Sequence, residues 1–132
     1  MGKYIDGYVL LVDKDKTEEY QKTAEQGRNL WMKHGALSYF ECRGDDLVTR
    51  NMGAEFQSME GKPREFPEMT GANPDEEVWY SFVIFESKQH RDEVNARVFE
   101  ETDKIMAEHK EMSWPFDGKK MAYGGFEVVV EG

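Results

Sequence analysis

The alternation of apolar and polar positions divides the chain into segments with two different periods. "KYIDGYVLLV", residues 3 to 12, is apolar on both alternating faces, which predicts a strand covered on both sides. Asp15 followed by Glu18 has the spacing of a capping box and predicts a helix start. Tyr20, Ala24, Gly27, Trp31 and His34 then recur at helical spacing, and Gly35 stands where a left-handed glycine ends a helix. "ALSYFECRG", residues 36 to 44, alternates again and predicts a second strand. From about 45 to 75 the pattern dissolves among Gly53, Gly61, Gly71, Pro63, Pro67 and Pro74, which predicts a long loop or insertion, with a short hairpin extension as one form of it. "EVWYSFVIFES", residues 77 to 87, is interrupted only by Ser81 and predicts a central strand. Ser87 can cap a second helix striped by Val94, Val98, Ile105 and Met106, and Pro115 bars its continuation. The last strand, "YGGFEVVV" from Tyr123 to Val130, aligns with "IDGYVLLV" near the start, and its two glycines predict a bulge, a bend or a close approach to the backbone.

The element order, strand, helix, strand, loop, strand, helix, strand, places the chain in the α+β class. It predicts a single domain over residues 1–132 with a ferredoxin-like βαββαβ topology: an antiparallel four-stranded sheet carrying two helices on one face. In that arrangement the first and last strands are neighbours, which puts Gly7 near Gly125. The second sheet face would stand bare in a monomer although its residues are apolar. A homodimer is therefore expected, two sheets pairing into a dimeric α/β barrel.

Composition narrows the partners. The 132 residues carry 17 Lys and Arg against 27 Asp and Glu, a formal charge of −10, and no basic run offsets it, so nucleic acid is excluded as a partner. No apolar segment is long enough for a secretory signal or a membrane span, so a partnership with membranes is not expected. Cys42 stands alone, which rules out an intramolecular disulfide and suits a cytoplasmic protein; its expected role is buried strand packing. His34, His90 and His109 are dispersed and no paired cysteines exist, so neither a metal nor another cofactor is expected.

The candidate chemistry falls into two groups. His90, Arg91 and Asn95 lie on the first turns of the second helix, where His90 could serve as a general base and Arg91 with Asn95 could grip an anionic or carbonyl ligand; such residues equally cap a helix or form local ion pairs. Asp6, Tyr8, Tyr39, Glu41, Tyr80 and Tyr123 are polar or half-polar positions inside predicted strands. Those that share a face could line a cleft and handle protons, although strand tyrosines are also ordinary packing residues. Asp6, in a strand predicted to be buried, requires a partner, for which Arg43 or Lys119 is available. Parity sets Asp6 and Tyr8 on one face and Gly7 on the other.

The segments "YIDGYVLLV", "HGALSYFECRGDD", "SKQHRDEVNARV" and "PFDGKKMAYGGFEVVV" together resemble the YbaA-like family of small bacterial proteins of unknown function. The resemblance spans nearly the whole chain, except that residues 47 to 70 look longer than the family pattern. It implies the dimeric α/β-barrel group, whose members at the level of fold include cofactor-independent monooxygenases, haem-degrading enzymes and small isomerases; shared fold does not fix chemistry. The expectation is a small-molecule-binding homodimer with a pocket between sheet and helices, acting as a monooxygenase-like or isomerase-like enzyme without a tightly bound cofactor. The alternative is a non-enzymatic dimeric stress, sensor or adaptor protein whose long loop meets a partner.

Overall fold

The computed structural model describes residues 2–47 and 63–132. Strand β1 spans Tyr4–Asp13, helix α1 Thr17–Lys33, strand β2 Ser38–Arg43, the short helix α2 Phe66–Thr70, strand β3 Glu76–Phe85, helix α3 Lys88–Glu108 and strand β4 Ala122–Glu127. The four strands form one antiparallel sheet in the order β2-β3-β1-β4, so the first and last strands are neighbours and the two longest are central. The register pairs Gly7 with Gly124 and Asp6 with Gly125.

Local chemistry explains most element boundaries. Ser87 accepts a hydrogen bond from the His90 backbone N–H at 3.0 Å and so starts α3, as its position suggested. Gly35 follows α1 with φ of 109°, a conformation that side chains oppose. At the other end of α1 the expected capping box does not form. Lys14–Lys16 makes a 3-10 turn first, α1 begins at Thr17, and no side chain caps it.

Residues 48–62, where the expected hairpin extension would fall, lie outside the described residues. Just beyond them, the long loop read over 45 to 75 needs correction, because α2 occupies part of it. Two of the residues that suggested irregular structure are helix punctuation here: Pro67 sits in the first turn of α2, and Gly71, at φ of 71°, is its left-handed cap. The fourth strand is also shorter than expected. It ends at Glu127, and Val129 and Val130 beyond it are exposed.

Two clusters make the core between sheet and helices. Leu10, Val12 and Trp79 pack on Tyr20 and Ala24 of α1, while Val83 and Phe85 pack on Val94 and Val98 of α3 together with Ala36. Phe116 anchors the turn before β4 by meeting Tyr20 edge-on, with ring centres 5.8 Å apart. The opposite sheet face is apolar as well. Phe40, Tyr80 and Phe126 are exposed on it, and Phe40 stacks on Phe82. Cys42, expected to be packed inside, is exposed on that same face opposite Tyr80, because β2 is an edge strand whose even-numbered residues point away from the helices.

The glycines now have separate reasons. Gly7 and Gly124 face each other on the outer side and leave room for the Phe126 ring, which lies 3.5 Å from the place a Cβ would take on either. Gly125 faces the helices, where a Cβ would collide with the Tyr4 ring.

Candidate functional site

One row of residues crosses the whole sheet on its helix-facing side. Glu41 of β2 is paired with Ser81 of β3, Ser81 with Tyr8 of β1, and Tyr8 with Tyr123 of β4. Because side chains alternate along strands, this common register brings four polar groups from the four strands to the same level under the helices. The rows on either side supply the apolar Leu10, Trp79 and Val83.

Glu41 is at the floor of a cavity of about 790 Å³ bounded by the sheet, α1, α3 and the connection to β4. Its Oε1 accepts hydrogen bonds from the Tyr39 hydroxyl at 3.0 Å and the Tyr20 hydroxyl at 3.1 Å, and Oε2 accepts from Tyr20 at 3.1 Å. Burial raises the Glu41 pKa above the ordinary carboxyl range, and the hydroxyls of Tyr39, Tyr20 and Ser81 oppose that rise by donating to the carboxylate. Among the described residues no cation pairs with Glu41; Arg43, two residues on, reaches Glu77 instead. Burial, reinforced by the Glu41 charge, pushes the Tyr20 and Tyr39 phenols far up, so both stay protonated donors. Above this polar floor the walls are apolar, with Leu30, Trp31, Phe99, Ile105, Met106 and Phe116 among them. At the rim Glu101 is already held by Lys33 at 2.9 Å and His34 at 2.8 Å.

Gly27 of α1 lets the helix come down on β2 here. A Cβ at that position would lie 2.9 Å from the Tyr39 hydroxyl. The helix glycine and the strand phenol therefore fix each other's place beside Glu41.

A second network lies next to the first. Asp6 has no exposed surface, and its Oδ1 accepts from Arg91 Nη1 at 2.8 Å while Oδ2 accepts from Asn95 Nδ2 at 3.1 Å. Arg91 Nη1 also donates to the Tyr123 hydroxyl at 3.1 Å, and the guanidinium lies 4.8 Å from the centre of the Tyr4 ring. Asn95 returns its Oδ1 to Trp31 Nε1 at 2.9 Å, tying α1 to α3. Tyr8 joins the two networks, stacked on Tyr123 at 4.8 Å between ring centres and lining the cavity beside Ser81.

The structure thus brings together seven of the nine residues singled out from sequence, in two adjoining sets: Tyr8, Tyr39 and Glu41 at the cavity, and Asp6, Arg91, Asn95 and Tyr123 beside it. His90 stands apart. Its Nδ1 accepts the Glu86 backbone N–H at 3.0 Å and its ring meets Phe85 edge-on, so it closes the start of α3. Arg91 and Asn95 hold Asp6, the protein's own carboxylate, where a ligand had been expected. Asp6 in turn is paired with neither Arg43 nor Lys119, since Arg91 already occupies Oδ1. Tyr80 belongs to the outer face, one residue out of phase with the polar row. Tyr20, Ser81 and Trp31 were not recognised as site residues. Ser81 had a signal, as the lone polar position in the most apolar strand; Tyr20 read as one more apolar helix position.

Comparison with known proteins sets this arrangement in a family. Residues 3–118 match the family described as "Protein of unknown function (DUF1428)". The chain belongs to that family. Within the same kinship, the uncharacterized protein YbaA of Escherichia coli K12 is 36% identical over 129 residues, covering 98% of each chain, and YbaA of Escherichia coli O157:H7 and of Shigella flexneri match to the same extent. The DUF1428 family carries no assigned activity, so the function of this member is argued from its cavity and its polar row. None of the helices among the described residues is long and apolar enough to cross a membrane.

Proposed function

We propose that this DUF1428 protein is a small-molecule-binding homodimer of ferredoxin-like, dimeric α/β-barrel type, in which Glu41 handles a proton of a ligand held between sheet and helices. The observation that carries the reading is a half-buried carboxylate, without a cationic partner among the described residues, at the floor of a cavity of about 790 Å³. Burying such a group is unfavourable, and a structural carboxylate is normally paired, as Asp6 is here. A raised pKa in a cleft with converging hydroxyl donors is the arrangement expected of a general acid or base that works near neutral pH. Cavities of 300–1,000 Å³ with apolar walls and few polar groups are the usual form of small-molecule sites.

The dimer part of the reading is supported by the outer sheet face, where Phe40, Tyr80 and Phe126 are exposed around a floor of Gly7 and Gly124. A second copy of the same face would cover these rings and the Cys42 thiol together. The free thiol also fits a reducing, cytoplasmic setting.

Native and denaturing mass spectra of the purified protein test both parts. A dimer carrying extra mass that denaturation releases, and that Glu41→Gln no longer carries, is the expected result. A monomer at micromolar concentration would overturn the barrel, and equal retention of the extra mass by Glu41→Gln would overturn the role given to Glu41.

A further inference from the structure

The polar atoms at the cavity floor restrict the ligand they can take. Glu41 Oε1 receives two phenolic hydroxyls and Oε2 one, shared from Tyr20, whereas a carboxylate offers about four lone-pair positions. With the Ser81 hydroxyl added, three hydroxyl hydrogens serve these four positions, because Tyr20 shares one hydrogen between both oxygens, so the carboxylate can take one more donor. On the far side of Ser81, Tyr8 lines the same floor, and among the described residues its hydroxyl has no side-chain hydrogen-bond partner. Ser81 is small and buried between these two longer side chains, so the floor has a notch with an acceptor at one end and a donor at the other.

Charge and shape restrict the ligand further. Glu101 and Lys33 at the rim cancel each other, leaving Glu41 as the unpaired charge of the lining, and the chain as a whole carries −10. A phosphate or carboxylate ligand would be repelled at the floor and would find no arginine along the walls. Tyr8, Tyr20, Trp31, Tyr39, Phe99 and Phe116 instead offer aromatic surface. The backbones of β2 and β1 stand roughly 10 Å apart across β3, a span on the scale of one aromatic skeleton with an oxygen at each end.

Resting on the pocket proposed above, we infer that its ligand is an uncharged aromatic hydroxy-carbonyl compound, whose hydroxyl donates to Glu41 and whose carbonyl oxygen accepts from the Tyr8 hydroxyl. This polarity also suits proton transfer. Glu41 takes the hydroxyl proton, and the electron pair left on that oxygen delocalises through the ring onto the carbonyl oxygen, where the Tyr8 hydroxyl stabilises it; returning the proton completes the cycle without an oxidant.

Calorimetric titration at neutral pH with three probes on one skeleton tests the assignment: a hydroxylated acetylnaphthalene, its methyl ether and the corresponding hydroxynaphthoate. The hydroxy ketone should bind about tenfold or more tighter than the ether, as one charge-assisted hydrogen bond allows, and the naphthoate weaker than both. Glu41→Gln should abolish the preference for hydroxyl over ether while leaving ether binding unchanged, which also shows that the variant is folded. Tyr8→Phe should weaken the ketone and spare the same naphthol lacking its acetyl group. Equal binding of hydroxy ketone and ether, or tightest binding of the naphthoate, would overturn the ligand class and leave the pocket standing. If none of the probes binds, or if all bind identically to a variant with Phe99→Trp narrowing the cavity, the pocket reading itself fails and this inference with it.

Discussion

Replacing Arg91 by Ala should be among the most damaging single changes outside the apolar core. Asp6 has no exposed surface, and among the described residues Arg91 supplies the one cation that touches it, at 2.8 Å. Without Arg91 the carboxylate keeps neutral partners, the amide of Asn95 at 3.1 Å and the neighbouring Tyr123 hydroxyl. Breaking a buried pair from one side in this way costs about 3–5 kcal/mol, because the remaining charge stays buried and uncompensated. For a domain of this size that corresponds to a fall of roughly 10–20 °C in Tm. Asp6→Asn should cost less, about 1.5–3 kcal/mol, the worth of a hydrogen bond to a charged group. Arg91 then retains Asp92 at 2.8 Å, on a surface-facing side. The double variant should therefore resemble Asp6→Asn alone, so that the two changes are far from additive. Urea unfolding of all four proteins at one fixed concentration, followed by tryptophan fluorescence, measures the cycle; Trp31 reports directly, since its indole N–H is held by Asn95. If Arg91→Ala costs no more than Asp6→Asn, or if the effects simply add, Asp6 is not the dependent partner that this geometry makes it.

Three further outcomes follow from single contacts. The folded state raises the Glu41 pKa above the ordinary carboxyl value of 4.5, so folding takes up a proton over the interval between the two; stability contributed by this group is fully present below 4.5 and is lost as pH rises through the folded pKa. Unfolding free energies measured from pH 4 to 8 should accordingly fall for the wild type relative to Glu41→Gln, and parallel curves would mean that Glu41 is hydrated. Gly125→Ala should destabilise by about 1–3 kcal/mol by driving a methyl group into the Tyr4 ring, which Arg91 overlies, and a neutral result in thermal melts would show that the ring has room to move. If the proposed dimer pairs through the outer sheet face, Phe126→Glu should yield a monomer in light scattering and speed alkylation of Cys42; a dimer that survives the change uses another face.

The parts of the fold legible in the sequence were those where one physical signal dominates. Alternation and length identified β1 and β3, and a serine ahead of an apolar stripe identified α3. The helix α2 was missed because Pro67 and Gly71 break structure by composition and begin or end it by position, and only the spacing between them tells which. The capping box at Asp15 failed for the complementary reason. Lys14–Lys16 turns as a 3-10 segment, with the Lys14 N–H donating to the Asp75 carbonyl at 2.8 Å, a contact no local pattern foretells. At the site, parity separated Asp6 and Tyr8 from Gly7 correctly. What it lacked was register: that Glu41, Ser81, Tyr8 and Tyr123 stand in one row depends on how four strands align. Side-chain partners were still less accessible, as with His90, whose ring turns back to its own strand end.

The two carboxylates under the helices differ in what answers their charge, and the roles proposed for them rest on that difference. Asp6 and Glu41 both face the helix side of the sheet, one register row apart, Asp6 fully buried and Glu41 half-buried at the cavity floor. Asp6 meets a guanidinium and an amide, each itself anchored, so that its two oxygens are used by the protein and its charge is balanced. Glu41 meets only hydroxyls, which stabilise the anion in part and leave the net charge standing in an apolar cavity. If Glu41 were there for stability, an uncharged residue would serve as well, because replacing a poorly compensated buried charge by a neutral group is neutral or favourable. Its persistence at the floor, with Tyr20 and Tyr39 aimed at it and Gly27 thinned to let Tyr39 approach, is therefore better accounted for by a proton to be taken up from whatever enters the cavity than by the fold that surrounds it.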